Sequence, residues 1–260
     1  MAQIITNSFA LCFLFISQNL IGQTFSKLYD LPPYHYVGSE LISISFKTSQ
    51  ETINKLVPKP LEANTEGLIN LDLYIQRTLP PTEWTYHEMV LSIPSKYNEK
   101  VGSYMYLLYL DQTEPIAAGR EVWGFPKLDA SFEFKMEGNS CHIKIKRDGD
   151  LLLTLDLDLG EANDTISEGS DGIGFVLKEI PASDGSSIPD VKKLNSYSST
   201  NVKIYGYREG DNVRLSLNEH PKHGLEMIPI LEIKSSYYAK CDFILGYGET
   251  LYDYLKLSNK

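Results

Sequence analysis

The sequence predicts a mainly β fold, and three observations predict it. Apolar and polar residues alternate repeatedly along the chain, strand-favouring Tyr, Ile, Ser and Thr are abundant with 17 Tyr among 260 residues, and turn pairs such as Gly138-Asn139 separate the alternating runs. Apolar residues make up 42% and charged residues 22%, ordinary values for a globular domain. No internal repeat or composition break divides residues 24–260, which read as a single domain.

Taken in order, the first strand is "LISISF" (41–46). Thr48 followed by Glu51 has capping-box spacing and opens a helix over "SQETINKLV", which Pro58 closes. "INLDLYIQ" (69–76) places Ile69, Leu71, Leu73 and Ile75 on one face of a strand and Asp72 on the other. "SFEFKME" (131–137) turns Phe132, Phe134 and Met136 inward. "CHIKIK" (141–146) does the same with Cys141, Ile143 and Ile145, and "LLLTLDLDL" with Leu151, Leu153, Leu155, Leu157 and Leu159. Short turns between these three make an antiparallel meander. Residues 160–172 and 181–200 read as polar surface loops. Further strands are expected at 174–180, 201–208, 212–219 and near 228–238, and "ETLYDYLK" (249–256) as a short amphipathic helix.

Residues 1–23 contain an apolar core from Phe9 to Ile16, too short to span a bilayer and of the length found in signal peptides. No Lys or Arg precedes it. Two readings stay open: an exported protein with a signal peptide, which is preferred, or an N-terminal extension on a cytoplasmic chain. No membrane span is expected in the mature chain. A net charge of −10 without a basic patch repels a phosphate backbone, which excludes nucleic acid as a partner. The 3 Cys show no C-x-x-C spacing. His220 and His223 in "EHPKHG" lack a third ligand and read as two solvated loop histidines, so no metal is expected.

The stretch "AAGREVWGFPKLDA" (117–130) sets Lys127 among Val122, Trp123, Phe125 and Leu128. A lysine is ordinarily a solvated ammonium. Apolar surroundings disfavour the charged form, and a neutral amine is a nucleophile that condenses with ketones. The protonated imine so formed is an electron sink, suited to decarboxylation of a β-keto acid or to aldol-type chemistry.

"YLLYLDQTEPIAAGREVWGFPKL" resembles the acetoacetate decarboxylase family, in which a Gly-Arg-Glu segment and an aromatic-Pro-Lys step present a Schiff-base lysine. "PPYHY" (32–36), "VPKPLE" (57–62), "YHEM" (86–89), "EIPASDGSSIPD" (179–190) and "LYDYLK" (251–256) follow that family's landmarks in order. The resemblance implies a closed antiparallel conical β-barrel with a few flanking helices, a homo-oligomer, a small keto acid as substrate and no cofactor. It assigns Lys127 as nucleophile and Glu88 as the acidic residue that orients a carboxyl group or carries a proton. A plain strand-surface carboxylate is the alternative for Glu88. Two positions depart from the family pattern: Leu128 stands where a second lysine is expected. Ser39, one residue before Glu40, stands where an Arg is expected to meet the substrate carboxylate.

Arg120 is the nearest remaining cation in sequence and the candidate to meet the substrate carboxylate in place of the missing Arg, a structural ion pair being the alternative. On a strand it would share a face with Val122 and pair with Glu88 or Asp72 rather than Glu121. Asp72 matches a second acidic family position and faces either solvent or a barrel lumen. Trp123, Phe125 and Met89 are expected as pocket walls or as core. The reading that follows is a Schiff-base carboxy-lyase acting on a short β-keto acid. An aldolase or dehydratase on a larger keto acid, or a non-catalytic binding barrel, are its alternatives.

Overall fold

In a computed structural model of the chain, the described residues are 28–163, 165–169, 171–218, 221–225 and 227–257. The segment 1–23 and His220 lie outside them. The elements in order are β1 (Tyr34–Lys47), α1 (Gln50–Leu56), β2 (Glu62–Ala63), β3 (Leu68–Arg77), β4 (Thr85–Tyr97), β5 (Lys100–Leu110) and α2 (Thr113–Ala118). A π-helical turn (Gly119–Trp123) leads to β6 (Lys127–Asp129), β7 (Ser131–Glu137), β8 (Ser140–Arg147), β9 (Asp150–Leu159), β10 (Ser167–Glu168) and β11 (Gly172–Ile180). β12 (Val191–Leu217), a 3-10 turn (Pro221–His223), β13 (Glu232–Leu245), β14 (Glu249–Asp253) and α3 (Tyr254–Leu257) complete the fold.

The strands form one 14-stranded sheet in the order β11-β5-β4-β3-β1-β13-β12-β9-β8-β7. β12 also pairs with β11, so the ladder from β11 through β13 returns to its start. Most pairings are antiparallel; β5 pairs in parallel with both β6 and β11, which the sequence does not signal. Ile44, Phe46, Leu71, Leu73, Met89 and Leu91 share one core with Cys141, Ile143, Ile145, Leu153 and Leu155 of the meander. A second cluster, with Tyr36, Tyr86, Val90, Leu108, Leu110 and Phe125, surrounds the lysine.

The β7-β8-β9 meander forms as its alternation predicts, with two exceptions. A bulge between Ile145 and Lys146 lets Leu152 and Leu153 both point inward, which leaves Leu151 exposed, and Met136 is exposed near the end of β7. The helix after Thr48 forms, but its N-cap is Ser49, whose Oγ accepts from the Thr52 N–H at 3.0 Å. Glu51 pairs instead with Lys55 at 2.7 Å. Residues 191–200 are strand rather than loop, because β12 runs unbroken along β11 and then β13. The expected helix at 249–256 is mostly strand: β14 pairs with β12, Leu194 opposite Tyr252, and only Tyr254–Leu257 coils. His223 is buried rather than solvated, with Nε2 2.8 Å from Asp150.

Candidate active site

Lys127 is delivered by a compact sequence of turns. α2 widens into the π-helical turn, whose Gly119 carbonyl accepts from both the Gly124 and Phe125 N–H groups at 3.0 Å. Gly124 reverses the chain at φ 91°, and a Cβ there would fall 2.3 Å from the Lys178 Cβ. Pro126 follows, and the Lys127 N–H reaches back to the Phe125 carbonyl at 2.8 Å before β6 pairs Lys127 with Leu108. Gly119 serves the lysine directly: a Cβ at that position would lie 2.6 Å from Lys127 Cδ and 2.8 Å from Cε. Its absence makes room for the aliphatic stem.

The amine enters a cavity of about 110 Å³ lined by Tyr36, Asp72, Tyr74, Gln76, Glu88 and Phe125, among others. Strand register explains the set. Asp72, Tyr74 and Gln76 occupy one face of β3 and stand opposite Val90, Glu88 and Tyr86 of β4, while Leu108 stands opposite Val90 and beside Lys127. Lys127 Nζ lies 2.9 Å from Glu88 Oε1, and both side chains are only 7% exposed. Oε1 has no hydrogen-bond partner of acceptable angle, so this pair is held by charge rather than by a directed bond. The ammonium also sits 5.6 Å from the Tyr86 ring centroid and 5.5 Å from that of Phe125.

Asp72 opens onto the cavity but is enclosed by protein, and burial pushes its carboxyl up to about 6 despite a 2.6 Å hydrogen bond from the Ser43 hydroxyl. Burial likewise raises the phenols of Tyr36, Tyr74, Tyr86 and Tyr197 well above their ordinary range, which keeps them neutral hydrogen-bonding groups. The Tyr36 and Tyr86 hydroxyls lie 3.1 Å apart. Among the described residues, no three His, Cys, Asp or Glu side chains gather as a metal site.

Three expected site residues stand elsewhere. Arg120 lies on the π-helical turn, not on a strand; its exposed guanidinium donates to the Lys127 carbonyl at 3.1 Å and pairs with neither Glu88 nor Asp72. Trp123 is buried against a different cavity, its indole N–H on the Gly246 carbonyl at 3.0 Å. Met89, next to Glu88, points to the opposite face of β4 and is wholly buried in the main core. Conversely, Gln76, Tyr74, Tyr197, Ser199 and Phe243 line the cavity without having been singled out from the sequence. The first two share the Asp72 face of β3, a signal in "INLDLYIQ" itself. The others come from β12 and β13, distant in sequence.

The acetoacetate decarboxylase family profile matches residues 22–255. The chain belongs to the acetoacetate decarboxylase family. It is an acetoacetate decarboxylase-like carboxy-lyase. The acetoacetate decarboxylase of Burkholderia ambifaria is 33% identical over 239 residues, covering 88% of this chain and 93% of that protein. A solved acetoacetate decarboxylase structure superposes with TM-score 0.77 at 26% identity, covering 88% and 93% of the two chains. The Legionella pneumophila acetoacetate decarboxylase superposes with TM-score 0.79, covering 97% and 100%. At 23% identity, that second likeness speaks to the fold alone. The same holds for the enduracididine biosynthesis enzyme MppR complexed with pyruvate, at TM-score 0.75, 14% identity, and coverage of 88% and 94%.

Proposed function

We propose that Lys127 forms a Schiff base with a short β-keto acid and that the resulting iminium drives its decarboxylation, acetoacetate to acetone and CO₂ being the reference reaction. The observation that carries this reading is the buried Lys127–Glu88 pair, 2.9 Å apart and facing one small cavity. The cavity is then the lumen of the conical barrel that the family fold implies. Its volume, about 110 Å³, accommodates a short substrate.

The unprotonated amine attacks the ketone carbon, and the carbinolamine loses water to give an iminium. The bond between the α-carbon and the carboxyl group then breaks: its electron pair enters the enamine, the iminium nitrogen becomes neutral, and CO₂ departs. The α-carbon takes a proton, and water hydrolyses the new iminium to release the ketone and restore the amine. Glu88, within contact of Nζ, is placed to take the ammonium proton at the start and to return a proton to the enamine. Tyr86 and Phe125 flank the nitrogen and limit water around it.

A specific observation favours a second reading. Lys127 is the only Lys or Arg among the residues lining the cavity, and Ser39 is fully buried with its Oγ accepting from the Arg77 N–H at 3.2 Å. With no second cation for a carboxylate, the same iminium would serve aldol or dehydratase chemistry on a larger keto acid. Incubation with acetoacetate, reduction with borohydride and peptide mapping test both. The expected outcome is an acetoacetate-dependent mass adduct on Lys127 with release of acetone and CO₂, and none in Lys127→Met. An adduct without acetone favours the second reading, and no adduct with any ketone on folded protein overturns both.

A further inference from the structure

Gln76, on the cavity face of β3, carries a buried oxygen that the proposed chemistry leaves unused. It is 4% exposed, lines the same cavity as Lys127, and its Oε1 is buried with no hydrogen-bond partner among the described residues. Two of its neighbours are occupied. Asp72 accepts the Ser43 hydroxyl at 2.6 Å, and Tyr86, directly opposite Gln76 on β4, has its hydroxyl 3.1 Å from that of Tyr36. A buried amide oxygen without a partner is costly to keep in a folded protein, and such a cost is removed when a ligand supplies the missing bond.

The surroundings say what kind of ligand group this is. Arg77, the adjacent residue, cannot supply a cation, because its side chain leaves the strand on the other face and is tied to Glu40 at 2.8 Å and to the Gly38 carbonyl at 2.7 Å. Ser39 offers only a hydroxyl, already accepting from the Arg77 N–H. A carboxylate presented to Gln76 would accept from the amide N–H₂ but leave Oε1 unsatisfied, and it would share the cavity with the carboxyls of Asp72 and Glu88. A hydroxyl both donates and accepts, so it satisfies either end of the amide at no cost in charge repulsion.

We propose that Gln76 is a specificity-determining residue that hydrogen-bonds a hydroxyl on the substrate, so that the substrate of Lys127 is a hydroxylated short-chain keto compound. This rests on the Schiff-base reading above and narrows its substrate class. A site built to bond a substrate hydroxyl discriminates against the analogue that lacks it, because the orphaned amide stays orphaned.

The test compares matched ketones that differ only by the hydroxyl: 2-butanone with 1-hydroxy-2-butanone, and 2-pentanone with 5-hydroxy-2-pentanone. Each is incubated with the full chain and reduced with borohydride, and labelling of Lys127 is followed against ketone concentration. In at least one pair the hydroxylated ketone reaches half-saturation at about tenfold lower concentration in the wild type, and in Gln76→Met, a change of similar volume, that ratio falls to about one. Equal half-saturation in both wild-type pairs overturns the assignment of Gln76, and so does a preference that survives in Gln76→Met. Should Gln76→Met fail to fold, the wild-type pairs decide alone. Labelling without discrimination leaves the Schiff-base reading standing, whereas no labelling by any of the four ketones removes that reading and this one with it.

Discussion

The outer meander and the cavity wall are woven from the same alternation, yet their polar faces meet opposite surroundings. On β8 and β9 the residues between the buried Cys141, Ile143, Ile145, Leu155 and Leu157 are His142, Lys144, Asp156 and Asp158, which face water; His142 pairs with Asp156, and Asp158 accepts from Ser140 and Asn212. His142 holds the Asp156 carboxyl below its usual range, and the Ser140 hydroxyl does the same for Asp158. On β3 and β4 the residues between Leu71, Leu73, Met89 and Leu91 are Asp72, Tyr74, Glu88 and Val90, which face the partly open cavity around Lys127. There burial pushes Asp72 the other way. Alternation states that a strand has two faces; it does not state which of them is wet. A polar face held out of water sacrifices stability, and in this fold that sacrifice coincides with the reactive amine.

The sharpest way to break this contrast is at Glu88. If the carboxylate handles protons for Lys127, Glu88→Gln, which keeps the volume, lowers kcat by about 10²- to 10⁴-fold while ketone adducts still form on Lys127. Steady-state kinetics and trapping on the same sample read both quantities. A kcat within a fewfold of wild type would make Glu88 merely a buried counter-ion, no different in kind from the solvated pairs of the meander.

A smaller effect is expected at Gly119, where an added Cβ would meet the lysine stem first and the Phe125 ring at 3.3 Å. A methyl group in Gly119→Ala would meet Lys127 Cδ at 2.6 Å and displace the amine, so kcat/KM falls by about a hundredfold, as misplacement by about 1 Å can cause, with the melting temperature little changed. Retained kcat/KM would mean that the stem moves aside freely and that the π-helical turn does not set the position of Nζ.

The comparison also explains what was legible in the sequence. The meander could be read residue by residue because its signal is local: hydrophobic period, turn pair, hydrophobic period. Lys127 and Glu88 stood out through their family motif, and the structure brings them together from β6 and β4. Gln76 was within reach, two and four residues along the strand from Tyr74 and Asp72, but the period alone could not place that face around a cavity. For Met89 and Trp123, which flank motif residues in sequence, the sequence leaves wall and core both open. Adjacent residues on a strand point apart, and a helical turn sets Trp123 behind Phe125, against a neighbouring cavity. Tyr197 and Phe243 reach the site only through the β12 and β13 pairings, which no local pattern encodes.

The smallest expected effect, and the one that compares the two regions in a single measurement, is on stability against pH. The folded-state carboxyl of Asp72 lies near 6, above its ordinary 3.8. The folded state therefore binds the proton more tightly than the unfolded chain, so the contribution of Asp72 is fully present below pH 3.8 and is lost as pH rises through 6. For Asp156 and Asp158, held low by partners, the sign reverses: their stabilisation is present above the ordinary carboxylate range and lost as pH falls through their lowered values. Asp72→Asn preserves an acceptor for the Ser43 hydroxyl and removes the charge that burial penalises. Denaturant titrations of wild type and variant should then show the variant gaining about 2 kcal/mol on wild type between pH 4 and pH 7.5, allowing for the opening of the cavity to solvent. Asp156→Asn should move in the opposite direction, and below about pH 4, where the wild-type carboxyl takes up its proton. Parallel pH profiles for wild type and Asp72→Asn would mean that the cavity carboxyl is as well solvated as those of the meander, and the distinction between a wet and an enclosed polar face would lose its energetic basis.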